Sequence, residues 1–307
     1  MIIHLPNTTT NVINKRMVEL RDEGGAVALG RVLTLIIDAT DSDAETAIQA
    51  ANNASREHPC RVITVSGMNP DAENQLDAEI RIGGDAGASE VLKLTLHGAL
   101  AKQGAAVVTP LLLPDAPVVA WWPNDAPDDP AKTPLGQIAQ RRITDSSESP
   151  DPCGKLRSLR AHHHAGDTDL AWTRLTHWRA QLAAAMDLPP FEPAQRAVVV
   201  GSDDSPSTDL IGAWLAHSLS CPVERIGVND VDGLQEVRIE RKSGPIVLSR
   251  PNRSDTAILT QPGQPQRDVA LPLRSLTESL TEDLRRLDPD EVYGEVLVDG
   301  LSLLGDS

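Results

Sequence analysis

The chain has 307 residues, and its acidic residues outnumber its basic ones 44 to 28, for a formal charge of -16. Hydrophobic residues make up 40% of it and aromatic residues only 2%, so the length suits two domains with aliphatic cores, and the charge argues against nucleic acid or an anionic membrane as partner. No apolar run reaches the roughly 18 residues that a membrane span needs, and the start MIIHLPNTTTNVINKRM lacks the basic segment and cleavage pattern of a secretory signal.

The three cysteines, Cys60, Cys153 and Cys221, are odd in number and show no CxxC spacing. That pattern fits free thiols in a reducing cytoplasm. In chain order, a first helix is expected from about Thr9 to Glu23, with Val12, Met17 and Leu20 inward and Gly24-Gly25 as its stop. RVLTLIID, from Arg31 to Asp38, reads as a strand. The next segment carries Ala44, Ala47, Ile48 and Ala51 at helical spacing, and CRVITVSG from Cys60 reads as a second strand. Strand, helix and strand with continuous apolar runs predict a βαβ unit in a mainly parallel sheet. AEIRI, from Ala78 to Ile82, is a short strand. Glu90 to Leu96 fits either a strand or a helix start. Ala116 to Trp122 is a further strand, followed by an acidic, Pro-rich loop to Pro130.

Asp169 can cap a helix with Ala171, Leu175, Trp178, Leu182 and Met186 on one face. Asp187 to Gln195 holds three prolines and reads as a linker. A second βαβ unit starts at Arg196, with Ser205 as cap and Pro206 at the first helical position. Leu234 to Leu273 predicts short antiparallel strands. SLTE, from Ser275 to Glu278, is a capping box leading Leu276, Leu280, Leu284 and Leu287 along one face; Asp288-Pro289 stops that helix and VYGEVL begins another. The fold class is therefore α/β: two βαβ-containing domains with mainly parallel sheets, and antiparallel strands in the C-terminal part. The expected domains are 1–150 and 193–307, with 151–192 as a helical connector.

No catalytic constellation emerges. A dinucleotide site needs G-x-G-x-x-G between strand and helix so that backbone can approach a pyrophosphate. The two turns read IIDATDSDAE and VVVGSDDSPST, whose carboxylates would repel a phosphate at a helix start. His162, His163 and His164 are consecutive and cannot all turn towards one ion, so no metal is expected. Ser66 and Ser202 follow strands without G-x-S-x-G, and Cys60 and Cys221 read as core thiols. No cofactor is expected either. Gly83, Gly84 and Gly87 could form an anion-binding loop, although Asp85 opposes an anion and a tight turn explains the glycines equally well.

VVAWWP places two of the five Trp side by side. In a strand their rings face opposite sides. One is expected to anchor the sheet. The other is expected on or just beneath a contact surface, near Arg141 or Arg142, with Asp145 as a local partner, because Trp and Arg are common interface anchors.

PLLLPDAPVVAWWP followed by PLGQIAQRRITDS resembles the glucose-6-phosphate dehydrogenase assembly protein family OpcA, in its shorter actinobacterial form. RDEGGAVALGRVLTLIID, NNASREHPCRVITV, RIGGDAGASEVLKL and LRSLTESLTEDLRRLDPDEVYGEVL are similar to the same family. The resemblance implies a non-enzymatic cytoplasmic partner of glucose-6-phosphate dehydrogenase at the entry of the oxidative pentose phosphate pathway, acting as assembly factor or allosteric activator. It implies no redox control here, since no paired-cysteine motif is present. The alternative is a sugar-phosphate-binding protein or enzyme using the Gly83 to Gly87 loop.

Overall fold

The computed structural model describes residues 1–23, 32–82, 90–251 and 253–304. The elements follow in chain order as β1 (Ile2–Leu5), α1 (Thr10–Glu23), β2 (Leu33–Asp38), α2 (Asp41–Ala54), β3 (Cys60–Met68), β4 (Gln75–Arg81), β5 (Glu90–His97), α3 (Gly104–Val108), β6 (Val118–Trp121), α4 (Pro134–Gln137) and β7 (Arg141–Thr144). They continue as α5 (Pro152–Ala161), β8 (Asp167–Asp169), α6 (Leu170–Thr173), α7 (Thr176–Met186), β9 (Arg196–Gly201), α8 (Pro206–Leu219), β10 (Val223–Gly227), β11 (Leu234–Glu240), β12 (Ile246–Ser249), β13 (Thr256–Thr260), β14 (Arg267–Ala270), α9 (Leu276–Asp283) and α10 (Glu291–Glu295). Two compact units result: Met1–Thr144 with Leu276–Pro289, and Asp145–Ser275 with Asp290–Ser307.

In the first unit the strands are ordered β1-β4-β5-β3-β2-β6-β7. β5, β3, β2, β6 and β7 run parallel, and β4 and β1 join antiparallel at one side. The parallel strands are apolar on both faces because both faces are covered: all of β2 except Asp38 is buried. Glu90 to Leu96 resolves as strand, since it lies between β3 and β4. Helix α1 buries Ile13, Met17 and Leu20. Val12, placed inward by the sequence pattern, is 49% exposed; positions 13, 17 and 20 share the helical face, and 12 falls one residue off it. Gly24, Gly25, Gly83, Gly84 and Gly87 lie outside the described residues.

In the second unit the order is β10-β9-β11-β12-β13-β14. β9 and β10 are parallel around α8, and the remaining pairs are antiparallel, as the pattern of residues 234–273 predicts. Residues 151–192 lie within this unit, and Leu156, Trp172, Trp178 and Leu182 belong to its core. The Asp169 carboxylate accepts from Ala171 N at 2.9 Å, and the expected single helix is two, α6 and α7, with Arg174 and Leu175 between them. Helix α9 ends at Asp283, ahead of the Asp288-Pro289 stop.

Candidate functional site

Strand β6 lies between β2 and β7, with Trp121 opposite Ile37 on one side and Ile143 on the other. Trp122 N donates to Ile143 O at 3.0 Å and carries the β7 pairing one residue further. The two indoles face opposite ways, as adjacent strand residues must. Both are buried, Trp121 at 0% and Trp122 at 4% exposure. Neither ring lies open on a surface, and Trp122 keeps only a small exposed fraction. Trp122 shares a core cluster with Ile36, Ile63, Ala120, Ala126, Leu135 and Ala139. The acidic, Pro-rich loop after it is thus folded onto the core through its apolar residues.

The position of Trp122 has a chemical meaning. From β2 the chain passes through α2 to β3 on one side, while β6 lies on the other side of β2. In parallel α/β sheets, that reversal opens a crevice beyond the carboxyl ends of the two strands, where nucleotides commonly bind. Here Trp122 Nε1 donates to Asp38 Oδ2 at 2.9 Å, directly joining the end of β6 to the end of β2. The turn after Asp38 contains no glycine and leads into a helix whose first turn carries Asp41 and Asp43. A pyrophosphate there would meet an indole and carboxylates where it requires close backbone N–H groups.

The corresponding turn of the second unit, Gly201 to Ser205, is also acidic. Arg225 Nη1 pairs with Asp209 at 2.8 Å and Arg225 Nη2 donates to Asp203 O at 2.5 Å. A Cβ on Gly201 would lie 2.5 Å from Thr208 Oγ1 and 2.7 Å from Gly233 O. That glycine admits neighbouring protein atoms, which accounts for it without a ligand.

The arginines and Asp145 are buried. Arg141 Nε donates to Asp283 Oδ1 at 2.8 Å, and its Nη1 donates to Asp288 O at 2.8 Å. Arg142 Nη1 donates to Ala139 O at 3.1 Å. Asp145 is not their local partner: Arg174 grips both its oxygens, Nη1 to Oδ1 at 2.7 Å and Nη2 to Oδ2 at 2.6 Å. Burial pushes the Asp145 carboxyl up to about 6, against the pull of Arg174. Nearby, Asp169 accepts from Ser146 N and Ser146 Oγ, each at 2.9 Å. The partners Asp38, Asp283 and Arg174 are not marked by the sequence; 84, 142 and 29 residues separate them from Trp122, Arg141 and Asp145, and no local pattern points to them.

The histidines diverge. His162 Nδ1 faces Ser158 O at 3.0 Å, His164 Nδ1 faces His162 O at 2.7 Å, and His163 packs edge-on against Tyr293 with centroids 5.8 Å apart. The three cysteines are free thiols. Burial raises Cys221, and burial together with Asp209 pushes Cys153 up to about 11, so neither is a ready thiolate at neutral pH. No described helix is long and apolar enough to cross a membrane.

No curated protein matches the chain. Solved structures resemble it at low identity, among them the following three. An oxidoreductase structure from Magnetospirillum magnetotacticum MS-1 is 12% identical, covers 89% of this chain and 98% of its own, and has a TM-score of 0.45. Glucose-6-phosphate 1-dehydrogenase from Mycobacterium avium is 12% identical over 87% of this chain and 90% of its own, at a TM-score of 0.42. The WlbA dehydrogenase from Bordetella pertussis, in complex with NADH and UDP-GlcNAcA, is 9% identical over 89% and 94%, at 0.41. Such scores carry no conclusion about function. Family models are more specific. A model for the N-terminal domain of the OpcA glucose-6-phosphate dehydrogenase assembly family matches residues 51–161. A second model, for the C-terminal domain of the same family, matches residues 165–297. Two consecutive matches in the order of the family's own domains mean that the chain belongs to the OpcA glucose-6-phosphate dehydrogenase assembly family.

Proposed function

We propose that the chain is a non-enzymatic cytoplasmic partner of glucose-6-phosphate dehydrogenase, which it assembles or allosterically activates at the entry of the oxidative pentose phosphate pathway. The observation that carries this reading is the pair of family matches, residues 51–161 and 165–297. The Trp122–Asp38 bond supports the non-enzymatic part, because it occupies the crevice where a nucleotide would enter a sheet of this topology. Buried or raised thiols suit a reducing compartment. Trp121, Trp122, Arg141, Arg142 and Asp145 belong to this reading as supports: being buried, they fix the elements that carry a contact surface and do not themselves touch a partner.

Titration of the purified chain into the dehydrogenase of the same cell tests the proposal. The rate of glucose-6-phosphate oxidation or the mass of the dehydrogenase particle should change saturably, while the chain alone turns over neither glucose 6-phosphate nor its oxidation product. A flat rate and an unchanged mass with both proteins folded would remove the proposal.

A further inference from the structure

The chain has one Phe, one Tyr and five Trp. Trp121, Trp122, Trp172, Trp178 and Tyr293 are buried, and Trp214 packs against a core. Phe191 alone among the aromatics is open to solvent, at 77% exposure. A single exposed apolar side chain is ordinary on a protein surface. Phe191 differs in how it is held. It lies in DLPPFEPAQ, Asp187 to Gln195, where Pro189, Pro190 and Pro193 fix three φ angles. Arg241 Nη1 donates to Pro190 O at 3.2 Å, Ser243 N donates to Glu192 Oε2 at 2.9 Å, and Gln195 N donates to Glu240 O at 2.8 Å. The loop is therefore tied down on both sides of Phe191 by the turn after β11. One of the ties comes from Arg241, a residue only 5% exposed, whose bond to Pro190 O helps hold the loop in place.

We infer that Phe191 is a pre-organised anchor that inserts into an apolar socket on the partner protein. The inference rests on the proposed partnership with the dehydrogenase. An aromatic ring on a fixed loop loses little freedom on binding, so most of its burial appears as affinity. The loop carries Asp187 and Glu192, and the turn that ties it down adds Arg241 and Lys242, with Glu192 accepting from Ser243 N. Its complement is an apolar socket on the protein partner, and an anionic lipid surface would be repelled by the net charge of -16.

The test measures affinity for the dehydrogenase by titration with the wild-type chain, Phe191→Ala and Phe191→Trp. Thermal unfolding of each variant should match the wild type, because the side chain contacts little of its own unit. Phe191→Ala should bind about 30-fold more weakly, the loss expected of an aromatic hot spot, and Phe191→Trp should recover most of that loss. If the wild type binds and Phe191→Ala binds equally well, this inference falls and the partnership stands. If the wild type does not bind the dehydrogenase at all, both fall. Binding of the wild type to anionic vesicles, abolished by Phe191→Ala, would replace the protein socket by a membrane and overturn the inference as stated.

Discussion

Trp122 fills core space and also donates to Asp38, and two substitutions separate these roles. Trp122→Ala should cost ~3–5 kcal/mol, the range for a truncated buried aromatic. Trp122→Phe keeps most of the apolar volume and loses the N–H. Because Asp38 retains exposed surface, water replaces that donor, and the cost should be nearer ~1 kcal/mol. Urea unfolding of both variants checks the order; equal losses would mean that the hydrogen bond, and not the ring, holds the end of β6. Asp145 adds a pH dependence. A carboxyl whose folded pKa lies above its unfolded value binds its proton more tightly in the folded state. Its favourable contribution is complete below about 4, the unfolded value, and is lost as pH rises to about 6, the folded value. Over that window the melting temperature of Asp145→Asn should fall less than that of the wild type. Parallel curves would show that Asp145 does not titrate there. At this scale the sequence announced that the Trp pair faces two ways, because strand geometry dictates it. It could not announce the burial of both rings, which depends on loop residues such as Ala126 and Leu135 folding back.

Elements were legible where their pattern was apolar and local. β2, β3 and β9 are rich in Val, Ile and Leu, and both βαβ units follow from them. β7 was harder to read: RRIT is polar yet wholly buried. It is a strand because it pairs with β6, and the distant carboxylate of Asp283 matches its buried Arg141, with side-chain exposures of 1% and 5%. Helix α9, which carries Asp283, showed itself by its capping box and its leucines, but nothing in the sequence said that it packs on α2 of the first unit. This buried pair gives a test of the element. Asp283→Ala leaves Arg141 without its carboxylate and should destabilise by ~3–5 kcal/mol. The double variant Arg141→Met with Asp283→Leu should recover much of that loss, since apolar residues of similar volume often replace a buried pair at little cost. Denaturant unfolding of Arg141→Met, Asp283→Leu and the double variant forms the cycle. Additive losses would mean that the two residues act independently.

For the whole molecule, the chain path decides which pieces can stand alone. The composition suggested two domains; the chain divides into two compact units whose boundary is not one cut in the sequence. Leu276–Pro289 returns to the first unit after the chain has passed through the second. That segment brings Leu280 and Leu284, at 0% and 2% exposure, and the carboxylate that pairs with Arg141. A fragment of residues 1–144 therefore lacks part of its own core and leaves Arg141 buried and unmatched. Losing two fully buried leucines costs ~2–5 kcal/mol each, and the missing carboxylate adds to that, against a total stability of only ~5–15 kcal/mol for a domain of this size. Residues 1–144 alone should be unfolded or molten at room temperature. The same fragment joined by a flexible linker to residues 276–289 should fold cooperatively. Near-ultraviolet circular dichroism and thermal unfolding distinguish the two. Equal melting transitions would show that the returning segment is an accessory to the first unit and not a part of its core.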